Sequence, residues 1–261
     1  MEPLRWLIDF HPDFPGSAVV AARLRERGGP EPIVVDRRSV MLGRWPEVDP
    51  PVVGYGTMHT MTRLRRHPRL GAAVFDDYAG LRCSSYYAHV HDLLGRAFFF
   101  APFGALPGLP LERMLGERVF VRSDTNYKLF PAEVLRTADV GAWVDRYSEH
   151  RNELAVVSEV VRFDAEYRCF CRGGAFFCGS SYPAEPYREV PAEVRAFAET
   201  AARRLAATGA SMVTVDVGLS GDRARIVEVG GVNSWGIYGS NADDFIDAME
   251  AEARERWADL A

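Results

Sequence analysis

Six short apolar runs in the second half of the chain constrain the fold more than any other feature. Each run has the length of a β-strand, and most of them follow one another closely enough to pair as antiparallel neighbours. The runs are 118–122, 155–162, 166–171, 175–181, 212–218 and 223–229. Helix-like segments lie between or after them at roughly 140–150, 192–208 and 241–258. This mixture of strands and helices predicts a domain of the α+β class.

The first half of the chain has a different pattern, in which short apolar runs alternate with helix-like stretches such as 17–27. The runs are 4–10, 32–36 and 51–55. Such alternation predicts a small α/β unit. The segment 101–110 is rich in Pro and Gly and is expected to be a linker or crossover. We therefore predict an N-terminal α/β domain over residues 1–108 and a second domain over residues 109–261.

The composition argues against several classes of protein. A net charge of −5 argues against a protein built around a nucleic-acid backbone. The cluster Arg63, Arg65, Arg66 and Arg69 is a local basic patch, which is expected to be a solvated helix face or loop. No window approaches the roughly twenty uncharged apolar residues that a membrane-spanning helix needs. Charged residues interrupt the first twenty positions, so no secretory signal is expected and the cytoplasm is the expected location.

Lys128 is the single lysine among the 31 basic residues of the chain. An ammonium is a compact point charge on a flexible stem, whereas a guanidinium is a wide planar fork. Arg122 lies six residues earlier, with the polar turn 123–126 between the two cations. Two cations around such a turn can hold a polyphosphate, to which backbone N–H groups of the turn would also donate. A β-hairpin with a charged turn is the alternative interpretation.

Two further strands meet at a short turn and carry the next group of charged residues. Glu159 lies on the first strand, and Glu166 and Arg168 lie near the start of the second. Residues two apart on a strand project to one face, so Glu166 and Arg168 are expected to lie side by side. A salt bridge between them is the usual explanation. Alternatively they line a cleft, where the carboxylate would bind ribose hydroxyls and the arginine a phosphate.

The last two predicted strands carry carboxylates at unusual positions. Asp216 lies within an otherwise apolar strand, Glu228 ends the next one, and Asn233 follows it. Carboxylates in buried strands are costly unless they bind something positive. Oxygen ligands from Asp, Glu and Asn suit Mg²⁺, which keeps several waters and bridges substrate phosphates. A helix cap or a pair with arginine is the alternative, and we favour the metal.

The order of these residues resembles the ATP-grasp superfamily and, within it, the clade named for two arginines and one lysine. The order is Arg-x5-Lys, a hinge Glu, Glu-x-Arg, Asp, and Glu-x4-Asn, and it covers the second half of the chain. The segment Gly54-Tyr-Gly56 fits the smaller domain that precedes the grasp in this family. The resemblance implies a small N-terminal α/β domain followed by an ATP-grasp fold, in which two α+β subdomains clamp ATP.

The resemblance also implies a role for each polar residue named above. The residues implied to bind the nucleotide are Arg122 and Lys128 at the phosphates, Glu159 and Val160 at the adenine hinge, and Glu166 at the ribose. The residues implied to bind magnesium are Asp216, Glu228 and Asn233. Arg168 is implied to meet the γ-phosphate or the acyl group and, with Lys128, to be catalytic.

One position departs from the family pattern. Members usually carry Asn two residues after the terminal glutamate, where this chain has Gly230. Asn233 matches a second asparagine of the clade and is the expected substitute, so the completeness of the second metal site stays open.

The implied activity is an ADP-forming carboxylate–amine ligase that uses ATP and Mg²⁺. A substrate carboxylate would attack the γ-phosphate to give an acyl phosphate, and an amine would then displace phosphate to form an amide. The alternatives are an ATP-dependent phosphotransferase and a non-catalytic nucleotide-binding protein. Expected partners are ATP and a small-molecule or peptide carboxylate and amine, with no membrane and no nucleic acid, and a homodimer is left open.

Overall fold

The computed structural model describes residues 3–183 and 185–260. The strands are β1 (Arg5–Ile8), β2 (Ile33–Val34), β3 (Val52–Tyr55), β4 (Phe98–Pro102), β5 (Arg118–Ser123), β6 (Glu133–Arg136), β7 (Leu154–Glu159), β8 (Ala165–Arg172), β9 (Ala175–Tyr182), β10 (Met212–Ser220) and β11 (Arg223–Gly230). The α-helices are α1 (Gly16–Glu26), α2 (Arg37–Met41), α3 (Met58–Arg65), α4 (Cys83–Leu94), α5 (Leu111–Leu115), α6 (Val140–Arg146), α7 (Ala192–Leu205) and α8 (Ala242–Ala258).

The chain divides into two compact units, each assembled from segments that are separated in sequence. The first unit comprises Met1–Asp77, Glu166–Val217 and Glu228–Ala261, and the second comprises Tyr78–Ala165 and Gly218–Val227. These limits differ from the predicted domains 1–108 and 109–261, which divide the chain at a single point.

Three parallel strands form one sheet of the first unit, in the order β2-β1-β3. Leu7 of β1 lies opposite Ile33 of β2 and Gly54 of β3. The central strand is buried on both faces, since Trp6, Leu7 and Ile8 are at most 1% exposed. A continuous apolar run is what a parallel sheet covered on both faces requires.

A four-stranded sheet with the order β11-β10-β8-β9 carries most of the polar residues named above. β8 and β9 are antiparallel, with Arg168 opposite Ser180 and Glu166 opposite Tyr182. The strand order places β8 beside β10, so Arg168 and Asp216 lie on neighbouring strands. The buried side of α7 is formed by Val194, Ala198, Ala201, Ala202 and Leu205, and this helix packs against β9.

The second unit is built on an antiparallel sheet with the order β4-β7-β5-β6. Its core includes three aromatic side chains that contact one another. The rings of Phe103 and Phe130 stack with centroids 4.2 Å apart, and both meet Trp143 edge-on. Such contacts add to the hydrophobic stabilisation from burial.

The segment 101–110 is not the linker that its Pro and Gly content predicts. Its first residues complete β4, which pairs with β7, and Phe103–Gly108 forms a short 3-10 helix. Phe103 and Leu106 of that helix are fully buried. The prediction was wrong because the buried apolar side chains, and not the turn-forming residues, determine where this segment packs.

The predicted α+β class is confirmed, and each of the six predicted strands corresponds to one strand between β5 and β11. The three apolar runs and the helix predicted for the first half correspond to β1, β2, β3 and α1. Neither β4, β6 nor α4 was predicted. Within residues 3–183 and 185–260, no helix is long and apolar enough to span a membrane.

Candidate functional site

A buried ion pair lies at the centre of the second sheet of the first unit. The Nε–H of Arg168 donates to Oδ1 of Asp216 at 2.9 Å, and Nη2–H donates to Oδ2 at 2.7 Å. The two side chains are 8% and 1% exposed. The bidentate geometry is that of a charge-assisted pair between an ionised carboxylate and a guanidinium. The alternative of a salt bridge is therefore realised, but with Asp216 and not with Glu166.

Three aromatic rings enclose the guanidinium of Arg168. Its Cζ lies 4.9 Å from the ring centroid of Tyr182, 4.5 Å from that of Trp235 and 4.9 Å from that of Tyr238. We call these three rings the aromatic cage. Cation–π attraction is strongest where the cation is shielded from water, as it is here. Trp235 and Tyr238 come from the loop between β11 and α8, and Tyr182 ends β9.

The hydrogen bonds of Arg168 leave part of its guanidinium available. Of five N–H donors, two bond to Asp216 and one, on Nη1, bonds to the carbonyl oxygen of Gly236 at 3.2 Å. The remaining two donors, one on each Nη, have no acceptor among the described residues. A fixed guanidinium with two such donors can bind an oxygen of a phosphate or carboxylate.

Burial and charge act in opposite directions on the ionisation of this pair. Burial lowers the pKa of Arg168, but the charge and hydrogen bonds of Asp216 outweigh it, so the pKa is raised and the guanidinium stays charged. Burial raises the pKa of the Asp216 carboxyl more than Arg168 lowers it, and Glu228 raises it too, so this pKa lies above its usual value. Burial also raises the pKa of Tyr182, which is therefore neutral and donates its hydroxyl to Glu166 Oε2 at 2.8 Å.

Asn233 is fully buried, and backbone groups use all of its hydrogen-bonding positions. Its Nδ2 donates to the carbonyl oxygens of Gly54 and Ala73 at 2.7 and 3.2 Å. Its Oδ1 accepts from the backbone N–H of Phe75 and Asp76 at 2.6 and 3.3 Å. Both lone pairs of Oδ1 are thus occupied. A metal ion could reach this oxygen only if those bonds broke.

Asp76 holds the same loop from the other side, and no sequence pattern pointed to it. Its Oδ1 accepts from the backbone N–H of Val232 and Asn233 at 2.6 and 3.1 Å, and its Oδ2 accepts from the hydroxyl of Ser234 at 2.9 Å. We call Asp76 and Asn233 with these partners the polar anchor. A Cβ atom at Gly231 would overlap the Asp76 carboxylate.

The departure at Gly230 has a packing explanation. A Cβ atom at this position would overlap the ring of Trp235. Any side chain at residue 230 would therefore displace one wall of the aromatic cage. The family pattern has an asparagine at position 230 as a metal ligand. In this protein the ring of Trp235 occupies the space that such a side chain would need.

The three residues predicted to bind magnesium do not fit one shared ion in this arrangement. Asp216 is paired with Arg168 through both oxygens, and Asn233 is bonded to the backbone. Glu228 is half-buried, and its charge acts on Asp216. In the part of the chain that the structure describes, no group of three or more His, Cys, Asp or Glu side chains could hold a metal. Glu228 belongs neither to the pair with Arg168 nor to the polar anchor.

Within the second unit, Arg122 is buried at the end of β5. Its Nε donates to the carbonyl oxygen of Ser123 at 3.2 Å, and its Nη2 donates to Oδ1 of Asn126 at 3.1 Å. Asp124 of the same turn is buried and accepts from Arg82 and Ser84 at 2.7 to 3.0 Å. Hydrogen bonds from Arg82, Ser84 and Arg122 therefore hold the turn that was predicted to bind a polyphosphate.

Lys128 is exposed and lies just beyond that turn with φ at +49°, in the left-handed region that few non-glycine residues adopt. Its ammonium has no partner among the described residues. Glu159 ends β7 and accepts from the backbone N–H of Ala97 at 2.8 Å, and Val160 beside it is 41% exposed. Strained and unpaired polar residues are typical of binding sites.

The structure thus brings some predicted residues together and separates others. Within the first unit, Arg168 and Asp216 are bonded, and Tyr182 connects this group to Glu166. Asn233 belongs instead to the polar anchor. Within the second unit, Arg122 and Lys128 flank one turn. Sequence reasoning missed the aromatic cage, although the spacing of Trp235 and Tyr238 close after Glu228 was visible.

Substituting Asn233 tests its structural role. Asn233→Asp should lower the free energy of unfolding by about 3 kcal/mol, because a buried carboxylate would face two carbonyl oxygens that have lost their donors. Urea unfolding with and without Mg²⁺ measures this. Asn241→Asp is the control, since Asn241 only caps α8 and Asp caps equally well. Retained stability of Asn233→Asp together with added Mg²⁺ affinity would contradict the structural role and support the metal-ligand prediction.

Removing Arg168 tests the buried pair. Arg168→Met should cost about 3–5 kcal/mol of unfolding free energy near neutral pH, because the Asp216 carboxylate is left buried and uncompensated. Without Arg168 nothing offsets burial, so the Asp216 pKa rises further above its unfolded value. Lowering the pH therefore protonates the carboxyl in the folded state, and the deficit should shrink. Urea unfolding across pH measures this. If the loss of unfolding free energy does not change with pH, it comes from the lost contacts with the aromatic cage and not from the uncompensated charge of Asp216.

A family model matches residues 93–248 and describes an ATP-grasp domain, family 2 of the clade named for two arginines and one lysine. No curated protein matches the sequence.

Solved structures with the same fold cover almost the whole chain. The RimK domain ATP-grasp protein from Sphaerobacter thermophilus DSM 20745 has 16% identity and a TM-score of 0.63 over 96% of this chain and 99% of that one. The D-alanine–D-alanine ligase from Bacillus anthracis has 10% identity and a TM-score of 0.62 over 99% and 100%. The ATP-grasp ligase PsnB, complexed with precursor peptide PsnA2 and AMPPNP, has 14% identity and a TM-score of 0.57 over 97% and 99%. The chain belongs to the ATP-grasp superfamily, in the second family of the two-arginine, one-lysine clade, and has the fold of an ATP-dependent ligase.

Proposed function

We propose that this protein is a carboxylate–amine ligase that forms an amide or peptide bond through an acyl phosphate. In the first step a carboxylate oxygen of the acid substrate bonds to the γ-phosphorus of ATP, and the bond to the β–γ bridging oxygen breaks to release ADP. In the second step the amine nitrogen bonds to the acyl carbon, phosphate leaves with its oxygen, and the amine loses a proton. Neither step needs a nucleophile from the protein.

The guanidinium of Arg168 carries this proposal. Its two open donors are fixed by the pair with Asp216 and by the aromatic cage, so they need no reorganisation to receive an oxyanion. Both a transferring phosphoryl group and an acyl phosphate present such oxygens. Preorganised donors in a shielded site typically supply a large share of catalytic acceleration.

The remaining residues are assigned to nucleotide binding in this proposal. Arg122 and Lys128 bind the ATP phosphates. The ammonium of Lys128 is exposed and has no partner in residues 3–183 and 185–260, which supports this role because it can move to the ligand as a point charge. The residues proposed for adenine and ribose are Glu159 with Val160, and Glu166. The hydrogen bond from Tyr182 fixes the Glu166 carboxylate in one orientation, as a contact to ribose hydroxyls would require.

Glu228 is the residue that we propose as the magnesium ligand. A magnesium ion bound with ATP neutralises phosphate charge in reactions of this kind. We assign its protein ligand to Glu228, because Asp216 is held by Arg168 and Asn233 by the backbone. The other coordination positions would be filled by phosphate oxygens and water. Asp216 in this view positions Arg168.

A peptide is one class of acid or amine that the fold can take. The neighbour PsnB has been solved with a precursor peptide. We extend this to the present chain as a proposal that its substrates are peptides or small molecules carrying a carboxylate or an amine.

A second candidate is a nucleotide-binding protein without turnover. It is favoured by one observation, the combination of Gly230 with a fully bonded Asn233, which leaves fewer metal ligands than the family pattern has. Screening ADP release against paired acids and amines separates the candidates. Release that needs both substrates supports the ligase. ATP binding without release supports the second candidate, and a phosphorylated product contradicts both.

Lys128 offers the first direct test of ATP binding. Lys128→Ala should raise the KM for ATP by about tenfold or abolish turnover, because one charge on the phosphates is lost. Lys128→Arg should restore only part of the affinity, since the planar fork cannot replace a compact ammonium. Arg118→Ala removes an exposed cation from the same unit and should leave the KM unchanged. Wild-type kinetics in both Lys128 variants would contradict the assignment.

Glu228 tests the metal. Glu228→Gln keeps the size of the side chain and removes its charge, so Mg²⁺-dependent binding of ATP should weaken. The apo protein should be at least as stable as the wild type, because the like charge beside Asp216 is gone. Calorimetric titration of ATP with and without Mg²⁺ measures the first effect, and thermal unfolding measures the second. Asp222→Asn, at an exposed turn, is the control. An unchanged Mg²⁺ dependence would exclude Glu228 as a ligand.

A further inference from the structure

A basic surface of the first unit takes no part in the proposed reaction. Residues 33–70 include seven arginines and three acidic residues, although the whole chain has a net charge of −5. Most of these arginines lie on or next to α2 and α3, which pack against each other. We call this surface the arginine face. It is defined by Arg37, Arg38, Arg44, Arg63, Arg65, Arg66 and Arg69.

His59 is the side chain of the arginine face that contacts both helices. His59 of α3 lies between them, with its Nε2 atom 3.2 Å from Sδ of Met41 in α2. The Nε–H of Arg63 donates to the same ring nitrogen at 3.2 Å. Burial lowers the pKa of His59, and the charges of Arg37 and Arg63 lower it further. One arginine from each helix therefore lowers the pKa of the same imidazole.

Three of the seven guanidinium groups of the arginine face are not paired within the described residues. The guanidinium groups of Arg44, Arg65 and Arg66 have no hydrogen bond or ion pair with the described residues. Arg69 pairs with Asp49 at 3.1 Å, but both side chains are largely exposed to water. Such an exposed pair contributes little and can exchange its partner.

The arginines of α1 in the same unit provide a contrast. Arg23 bonds to Asp243 at 2.8 Å and Arg25 to Glu31 at 2.5 Å. Arg44, Arg65 and Arg66 of the arginine face have no such pair among the described residues.

The same surface exposes aliphatic side chains. Val34, Met41 and Leu42 are 59%, 54% and 62% exposed, and they belong to the stretch that carries Arg37 and Arg38. Solitary exposed apolar residues need no explanation, but a cluster beside unpaired charge is typical of an interaction site.

A small cavity of about 290 Å³ adds to this surface. It is lined in part by Trp45, His67 and Arg69. The Trp45 and His67 rings meet at 5.6 Å and form an aromatic wall, beside which lie the opposite charges of Arg69 and Glu47. Such a cavity can receive a single side chain of a partner.

We propose that the arginine face docks an acidic peptide segment of a partner protein. Asp or Glu side chains of the segment would pair with the unpaired guanidiniums, and its aliphatic side chains would cover Val34, Met41 and Leu42. A nucleic acid fits less well, because a sugar–phosphate backbone leaves those aliphatic groups without apolar contacts and the chain as a whole is acidic. This docking goes beyond the proposed ligase reaction and does not depend on it.

A short synthetic peptide that alternates Glu and Leu, carrying a fluorophore, is the probe. Fluorescence anisotropy with the full chain should show saturable binding that weakens as salt rises, because exposed charges are screened. The peptide with Gln in place of Glu should not bind, and the peptide with Ser in place of Leu should bind more weakly. Absence of binding by the Glu–Leu peptide would overturn the proposal. So would tighter binding of a single-stranded oligonucleotide.

Two matched variants locate the site. The triple variant Arg37→Gln, Arg63→Gln, Arg66→Gln should weaken peptide binding about tenfold or more, since each exposed ion pair contributes a few-fold. The control Arg113→Gln, Arg118→Gln, Arg223→Gln removes the same charge from exposed sites in the second unit and should leave binding unchanged. Circular dichroism melting checks that both variants fold, and ADP release checks the ligase separately. Equal loss of binding in the two triple variants would overturn the proposal, because net charge alone would then explain it.

Discussion

The buried pair of Arg168 and Asp216 determines how the residues around it are arranged. Two opposite charges inside a protein are costly unless good geometry and further hydrogen bonds compensate for the lost water. Here the bidentate contact, the carbonyl of Gly236 and three aromatic rings provide that compensation. The loop after β11 must supply two of those rings. Its glycine at position 230 follows from this requirement, because Trp235 occupies the space of a side chain.

The polar anchor fixes the same loop from its opposite side. Asn233 bonds to backbone groups near β3 and before Tyr78, and Asp76 bonds back to the start of the loop. Gly231 leaves room for the Asp76 carboxylate. The two adjacent glycines therefore accommodate two different neighbours, a ring of the aromatic cage and a carboxylate of the anchor. A loop held at both ends can keep the cage rings in place without regular secondary structure.

The strands and the chemically unusual residues could be predicted from the sequence, whereas the partners that lie on distant segments could not. The strands β8 to β11 follow from apolar runs of strand length, and Lys128 and Asp216 were recognisable because their residue types are unusual in their settings. The pairing of Arg168 with Asp216 could not be predicted from the sequence, because it depends on β8 lying beside β10. The contacts of Asn233 could not be predicted either, because they come from residues more than 150 positions away. Its prediction as a metal ligand rested on its residue type and its place in the motif order. β4 was missed because the turn-forming residues after Ala101 outweighed the aromatic run before it.

The choice between arginine and lysine follows the geometry at each position. At residue 168 the side chain must offer donors in one plane to a carboxylate and a carbonyl while presenting flat faces to three rings, which only a guanidinium does. At residue 128 the cation has no partner among the described residues and sits on an exposed, left-handed backbone position. There a compact charge on a flexible stem can follow a ligand. A chain that uses arginine at thirty other positions thus keeps its one lysine where fixed donors would be a disadvantage.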